Sequence, residues 1–268
     1  MFELIRSNKR RSVALVACFM LFIVLVGAAI GALVGNGIAF TLVALVFSGS
    51  VAFYSYWRAD KIALKISRAE PASEIQYQRL HNIVEGLCIA AGLPKPGVYV
   101  IDDPAPNAFA TGRNPEHAAI AVTSGLLEML NRVELEGVIA HELGHIKNYD
   151  ILVSTLAVTM VGAVALLADG AIRLMWWNGG RVSRSGDRSN GNNPLAYAGF
   201  ALLILSPIIA KAMQAAVSRS RETLADVTAC QLTRYPPGLI SALEKLKEDT
   251  TVTHSASMAT AHLWIEQP

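Results

Sequence analysis

The sequence predicts an α+β fold held to a membrane by helical hairpins. Three observations carry this. Two charge-free apolar runs follow one another near the start; short β-like runs alternate with helical patterns in the middle; and two later helical patterns carry histidines and carboxylates at one-turn spacing. The composition agrees. Of 268 residues, 53% are hydrophobic and only 16% are charged, with mean hydropathy +0.39, against about 25% charged in an average soluble chain. Such a chain is neither disordered nor a disulfide-rich miniprotein, and it is unlike most soluble enzymes. With 23 basic and 21 acidic residues the net charge is +2, which gives no electrostatic case for a nucleic-acid partner. Cys18, Cys88 and Cys230 show no CxxC spacing. Cys18, inside an apolar run, reads as a small packed residue, and nothing asks for an oxidising compartment.

Val13 to Val34 carries no charge and is long enough to cross the ~30 Å hydrocarbon core. It is too long for the apolar part of a signal peptide, and a second run, Ile38 to Trp57, comes at once. A helical hairpin anchor over residues 1–61 is expected. Arg6, Lys9, Arg10 and Arg11 lie on the same side of it as Arg58, Lys61 and Lys65, while the connection Gly35-Asn36-Gly37 has no charge. The positive-inside rule then puts both ends of the hairpin, and the chain beyond its second helix, in the cytoplasm. Gly27, Gly31 and Gly35 give overlapping GxxxG matches, for packing within the hairpin or against a second copy.

Residues 62–150 read as the first part of a catalytic domain. Glu70 to Ala91 has an amphipathic helical pattern opened by Pro71 and Ser73. Gly97 to Ile101 is a β-run, Asn107 to Gly112 a short strand before a turn, and Ala118 to Thr123 another β-like stretch. Ser124 can cap a helix starting near Gly125. The next helix runs from about Val133 to Asn148. An insertion over 151–212 then holds two apolar runs, Ile151 to Ala168 and Leu195 to Ala210, around a Gly/Ser/Asn-rich loop with Arg173, Arg181, Arg184 and Arg188. Both runs are at the short limit for spanning, so they cross the bilayer, dip into it or pack beside it. Trp176 and Trp177 read as an interfacial anchor. Residues 213–268 form the second part of the domain.

The Val133–Asn148 helix contains His141-Glu142-Leu143-Gly144-His145. Histidines at i and i+4 lie about 40° apart around a helix and one turn apart along it, so both imidazoles reach one ion. Neutral imidazole suits Zn²⁺. Glu142, about 100° round from His141, is placed to take a proton from the attacking water rather than to bind metal. Gly144 costs about 1 kcal/mol of helix stability against alanine, and its expected use is to let another backbone pass close to the metal.

A zinc hydrolase needs a third protein ligand and an open fourth position. Glu222 and Asp226, again i and i+4, share one face of a later helix. Glu222 fits the third ligand, and Asp226 fits an acceptor for the far ring nitrogen of a ligating histidine. The alternative is a solvated acidic pair balanced by Arg219 and Arg221.

In combination these residues resemble the HtpX-type membrane metalloproteases, gluzincins related to the type I CAAX prenyl proteases. The likeness rests on HELGH, the ExxxD motif beyond a hydrophobic insertion, the N-terminal hairpin, the motifs PAPNAFATG and AVTSGLLEML, and the stretch Ala259 to Ile265. It implies a gluzincin (zincin-like) catalytic domain. It also implies zinc-dependent endoproteolysis of misfolded or damaged membrane proteins under stress, in the bacterial inner membrane, with the site facing the cytoplasm. His141, His145 and Glu222 would hold one Zn²⁺ per chain, Glu142 would be general base and acid, and Asp226 would lie behind the ligands. Asn107, Ala108, Phe109 and Ala110 would border the substrate cleft. The partners implied are membrane-protein or peptide substrates and the lipid bilayer.

His262 could stabilise an oxyanion or be an ordinary surface residue. The Asn107–Gly112 strand, if at a sheet edge, offers unpaired N–H and C=O groups to an extended peptide. Two rival functions remain. A CAAX prenyl protease would need a large membrane chamber, for which four candidate spans are few. A scaffold with a structural zinc would need four protein ligands, usually including cysteine, and the sequence offers three.

Overall fold

The structure is a computed structural model that describes residues 2–34, 37–157 and 219–251, with isolated positions 160, 162, 163, 169, 173, 264 and 265. The second apolar run of the insertion, most of its basic loop, Trp176, Trp177 and His262 lie outside the described residues.

Helices α1 (Phe2–Val34) and α2 (Gly37–Ile66) pack along each other as a hairpin. Along α2 the buried positions are small: Ala44, Ser48, Ala52 and Ser55. Its large side chains, Leu42, Val43, Val46 and Phe53, point outward and are more than half exposed. Among the described residues, no helix is long and apolar enough to cross a membrane. Cys18, expected to be packed, is exposed on α1.

The catalytic half is mixed α and β, as expected. The four-stranded sheet has the order β1-β2-β4-β3, with β1 Glu70–Pro71, β2 Gly97–Ile101, β3 Ala108–Gly112 and β4 Ala118–Thr123. β2 and β4 are parallel; the outer pairs are antiparallel. One expectation needs correction. The helix expected from Glu70 begins only at Gln78 (α3, Gln78–Ala91), because Glu70 and Pro71 pair with Val100 and Tyr99 and the Ala72 N–H donates to the Val98 carbonyl. Ser73 starts a turn instead, accepting the Tyr77 N–H on its carbonyl. The cap of α4 (Ser124–Met129) is also shifted by one. Thr123 accepts the Leu126 N–H, while the Ser124 hydroxyl bonds Asp103.

Side-chain alternation gives the sheet two apolar faces. Val98, Val100, Ala108, Ala110, Ile120 and Val122 face α3 and the central helix α5 (Arg132–Lys147). Ile101, Phe109, Ala119 and Ala121 face Leu64 and Trp264 on the other side. α5 is buried on nearly every face, between α3, α6 (Arg219–Thr233) and α7 (Pro236–Glu248). Its start is fixed by a capping box in which Asn131 accepts the Glu134 N–H and Glu134 accepts the Asn131 N–H. Glu134 also accepts from Ser241 and Lys245, which ties α7 to α5.

Beyond α5 the chain turns into a helical segment over 151–157. Leu152, Leu156 and Ala157 bury themselves against Phe19, Ile23 and Ala44 of the hairpin. The mixed α/β part is thereby fastened to the hairpin.

Candidate active site

α5 sets two imidazoles one turn apart, their ring centroids 4.7 Å from each other at 82°. His141 Nδ1 lies 2.9 Å from Asp226 Oδ1, and His145 Nδ1 lies 3.0 Å from Asp150 Oδ2. A carboxylate can only accept, so these partners assign the ring hydrogens to Nδ1. Both Nε2 lone pairs then face one point, 3.1 Å apart. Glu222 Oε2 completes a triangle at 3.6 Å from His141 Nε2 and 3.7 Å from His145 Nε2.

Two lone pairs and a carboxylate oxygen converging in this way repel each other unless a cation sits among them. Atoms bound at about 2.0–2.2 Å around a tetrahedral zinc ion are about 3.3–3.5 Å apart, so the triangle fits such an ion. The proton affinities report the same demand. Burial pulls the His141 imidazole down, but hydrogen bonds to Asp226 and Glu222 carry it up to about 10. His145 is also raised: burial lowers it, and the Asp150 charge and hydrogen bond outweigh that. Burial pushes the Glu222 carboxyl up, yet the His141 hydrogen bond and the charges of His145, His141 and Arg221 bring it below the usual range. The Glu222 side chain is half exposed, so the cluster opens to solvent on that side.

Glu142 lies behind the triangle, 2% exposed. Burial raises its carboxyl above the ordinary value, against the lowering charges of His145 and His141; the Ala110 N–H donates to it. That donor comes from β3, the last strand of the sheet order. Asn107 and Thr123 bond each other at the near end of the β3–β4 ladder, so the alternate residues Ala108, Ala110 and Gly112 turn their backbone groups to the outer edge. The chain takes up several of these itself. Ala108 N–H donates to Asn107 Oδ1, Ile265 N–H donates to the Ala108 carbonyl, and Gly112 N–H donates to Thr155 Oγ1. The Phe109 ring points to the opposite face of the sheet, 4.9 Å from the Trp264 ring.

Glycines let α6 and α7 approach α5. A Cβ on Gly144 would stand 3.1 Å from both Cα and O of Ala225, the residue before Asp226. A Cβ on Gly137 would stand 2.7 Å from the Leu239 N atom of α7. The sequence pointed to Gly144 for this reason; Gly137 drew no attention there.

The chain matches the model of peptidase family M48 over residues 74–260. It belongs to peptidase family M48. Curated relatives span its whole length. It is 42% identical to a protease HtpX homolog of Streptococcus uberis, covering 91% of that protein, and 43% identical to one of Listeria monocytogenes, also covering 91%. Another, of Tropheryma whipplei, is 43% identical with 89% covered. Among solved structures, Ste24p of S. mikatae aligns with a TM-score of 0.50 over 98% of this chain and 66% of that one. At 18% identity this likeness concerns fold alone. The M48 chain is a metalloprotease, and its chemistry is hydrolysis of peptide bonds.

One residue in contact with this cluster is not singled out by the sequence. Asp150 sits beyond the expected end of the α5 helix, at the start of an apolar run. It reaches His145 because the helix ends in a turn with Tyr149 left-handed, at φ 57, where the Asp150 N–H closes back on the His145 carbonyl. A side-chain-bearing residue held there costs roughly 1–2 kcal/mol. That bond spans only five residues, so an Asp just after a helix that bears HExxH is the available signal.

Proposed function

We propose that this M48 chain is a zinc-dependent endopeptidase of misfolded or damaged membrane proteins, working at the cytoplasmic face of the bacterial inner membrane. The observation that carries the reading is the triangle of His141, His145 and Glu222 with buried Glu142 beside it. Three ligands and a solvent-open side make a catalytic rather than a structural metal site. The relatives named as HtpX protease homologs support a protease of this type, and the resemblance carried by the motifs implies the substrate class. The anchor is supported by the apolar run Val13 to Val34 and by the exposed Leu42, Val43, Val46 and Phe53, since a hairpin with small residues inside and large ones outside is what a lipid solvent selects. Exposed Phe53, Tyr54, Tyr56 and Trp57 next to Arg58 and Lys61 fit the level of the lipid headgroups.

Bound Zn²⁺ would polarise the scissile carbonyl and make water more acidic. Glu142 takes the proton of the attacking water on its carboxylate and returns it to the leaving amine nitrogen. Its raised proton affinity suits both transfers. The Ala110 N–H holds the carboxylate in place, and Asp226 fixes the His141 ring. An extended, unfolded peptide segment runs beside β3, donating to the Ala110 carbonyl while the Ala110 N–H serves Glu142.

The test is metal stripping and restoration on the full chain in detergent. Chelation should abolish cleavage of an unfolded membrane protein, and Zn²⁺ at one equivalent per chain should restore it. Cleavage that persists in chelator would refute the reading.

A further inference from the structure

Asp150 is a charged residue for which proton transfer by Glu142 has no use. Its side chain is 2% exposed. Oδ2 lies 3.0 Å from His145 Nδ1, and buried Oδ1 has no hydrogen-bond partner among the described residues. A buried carboxylate is unfavourable unless paired, so the imidazole is what keeps this one folded inside. Its place in the chain sharpens the point. The Asp150 carbonyl accepts the N–H groups of Val153 and Ser154, which places Asp150 at the cap position just before the 151–157 helical segment. An aspartate there ordinarily caps the helix with its own side chain. Here the side chain turns away to His145, and the left-handed turn at Tyr149 aims it.

We propose that Asp150 is a positioning residue for His145. By accepting the Nδ1 hydrogen it fixes the tautomer and swing of the ring, so that the Nε2 lone pair meets His141 Nε2 and Glu222 Oε2 at one point. Asp226 gives His141 the same support from the other half of the chain. Each imidazole thus has its own carboxylate behind it. Because Asp150 opens the segment whose Leu152 and Leu156 pack on the hairpin, it also couples the anchor to a metal ligand. The inference rests on the reading that the triangle holds a metal.

Asp150→Ala and Asp150→Asn test it in the full chain in detergent, with the metal alone as probe. Zn²⁺ affinity is measured by competition with a chromogenic chelator, and ligand geometry by the visible absorption of the Co²⁺-loaded protein. Asp150→Ala should weaken Zn²⁺ binding about 10- to 100-fold and alter the Co²⁺ spectrum. Asp150→Asn, whose amide oxygen still accepts from Nδ1, should recover most of both. Wild-type Zn²⁺ affinity with an unchanged Co²⁺ spectrum in Asp150→Ala would overturn the proposal, even if its melting temperature fell. Should Asp150→Ala fail to fold, Asp150→Ser, which can cap the helix but is too short to reach Nδ1, decides: Zn²⁺ binding weaker by about 10-fold or more supports the role, and wild-type binding with an unchanged spectrum refutes it. His141→Ala separates this from the parent reading, which fails if that variant binds Zn²⁺ as the wild type does.

Discussion

The Nε2 atoms of His141 and His145 stand 3.1 Å apart while each Nδ1 is turned away onto a carboxylate. Such a pair must share a positive charge, and in chelated protein that charge is a proton. The raised His141 value, about 10 against about 6.5 for an unfolded histidine, means that the folded state holds the proton more tightly. Its stabilising contribution is complete below about pH 6.5 and is lost as pH rises through about 10. The melting temperature of chelated protein should therefore fall across that window. Zn²⁺ affinity should rise across it, because the ligands must shed protons to bind. Melting curves at several pH values, with and without Zn²⁺, check both slopes; a chelated protein that gains stability with pH would contradict the shared proton.

Glu142→Gln removes the proton acceptor and keeps the shape. Hydrolysis should drop by about 10²- to 10⁴-fold, with zinc content near one per chain. Metal analysis beside a peptide-cleavage assay reads both, and wild-type activity in this variant would end the general-base assignment.

Gly144→Ala puts a methyl 3.1 Å from the Ala225 backbone. The helix gains up to about 1 kcal/mol in propensity, while α6 must move by a few tenths of an ångström and takes Glu222 and Asp226 with it. Global stability should stay nearly level as Zn²⁺ affinity falls several-fold. Gly144→Val should destabilise by about 1–3 kcal/mol. Chemical denaturation and metal titration separate the two effects, and wild-type affinity in both variants would show that the spacing of the helices does not set the site.

Ala110→Pro removes the N–H that donates to Glu142. From the sequence alone this variant is expected to raise KM only. The structure adds a second effect: losing a hydrogen bond to a charged group is worth about 1.5–3 kcal/mol, so kcat should fall about 10- to 100-fold with zinc retained. A rise in KM with kcat intact would mean that Ala110 serves the substrate and not Glu142.

For topology, a cysteine-free chain with single probes should be labelled from outside intact cells at Asn36 and not at Glu74. Outside labelling at Glu74 would turn the protease to the opposite face of the membrane.

How far the sequence carried depends on the range of each interaction. HExxH, ExxxD, β2, β3 and β4 were all readable, because period and ligand spacing are local properties. The start of α3 was not: whether Glu70 and Pro71 enter a helix or a strand is settled by Val100 and Tyr99, which no local window contains. Gly137 and Gly144 differ in the same way, since only Gly144 stood next to recognisable chemistry. Asp150 was hidden because its place at the head of an apolar run resembles an ordinary helix cap. The outward turn of large side chains on α2 follows from small residues lining its inner face, a pattern visible in Ala44, Ser48, Ala52 and Ser55 once the partner helix is known.

The proposed metal site takes His141, His145 and Asp150 from one part of the chain and Glu222 and Asp226 from another, with the apolar insertion between them. Proteins are made from the N-terminus onward, so a ribosome delivers both histidines and Glu142 long before it adds Glu222. On the proposed function a half-made chain is itself an unfolded membrane protein, the kind of material the finished enzyme destroys. The order of synthesis withholds the third ligand until the insertion has been translated. A chain interrupted before residue 222 therefore carries the HExxH helix in an inert form, and the newborn enzyme is spared by its own unfinished siblings.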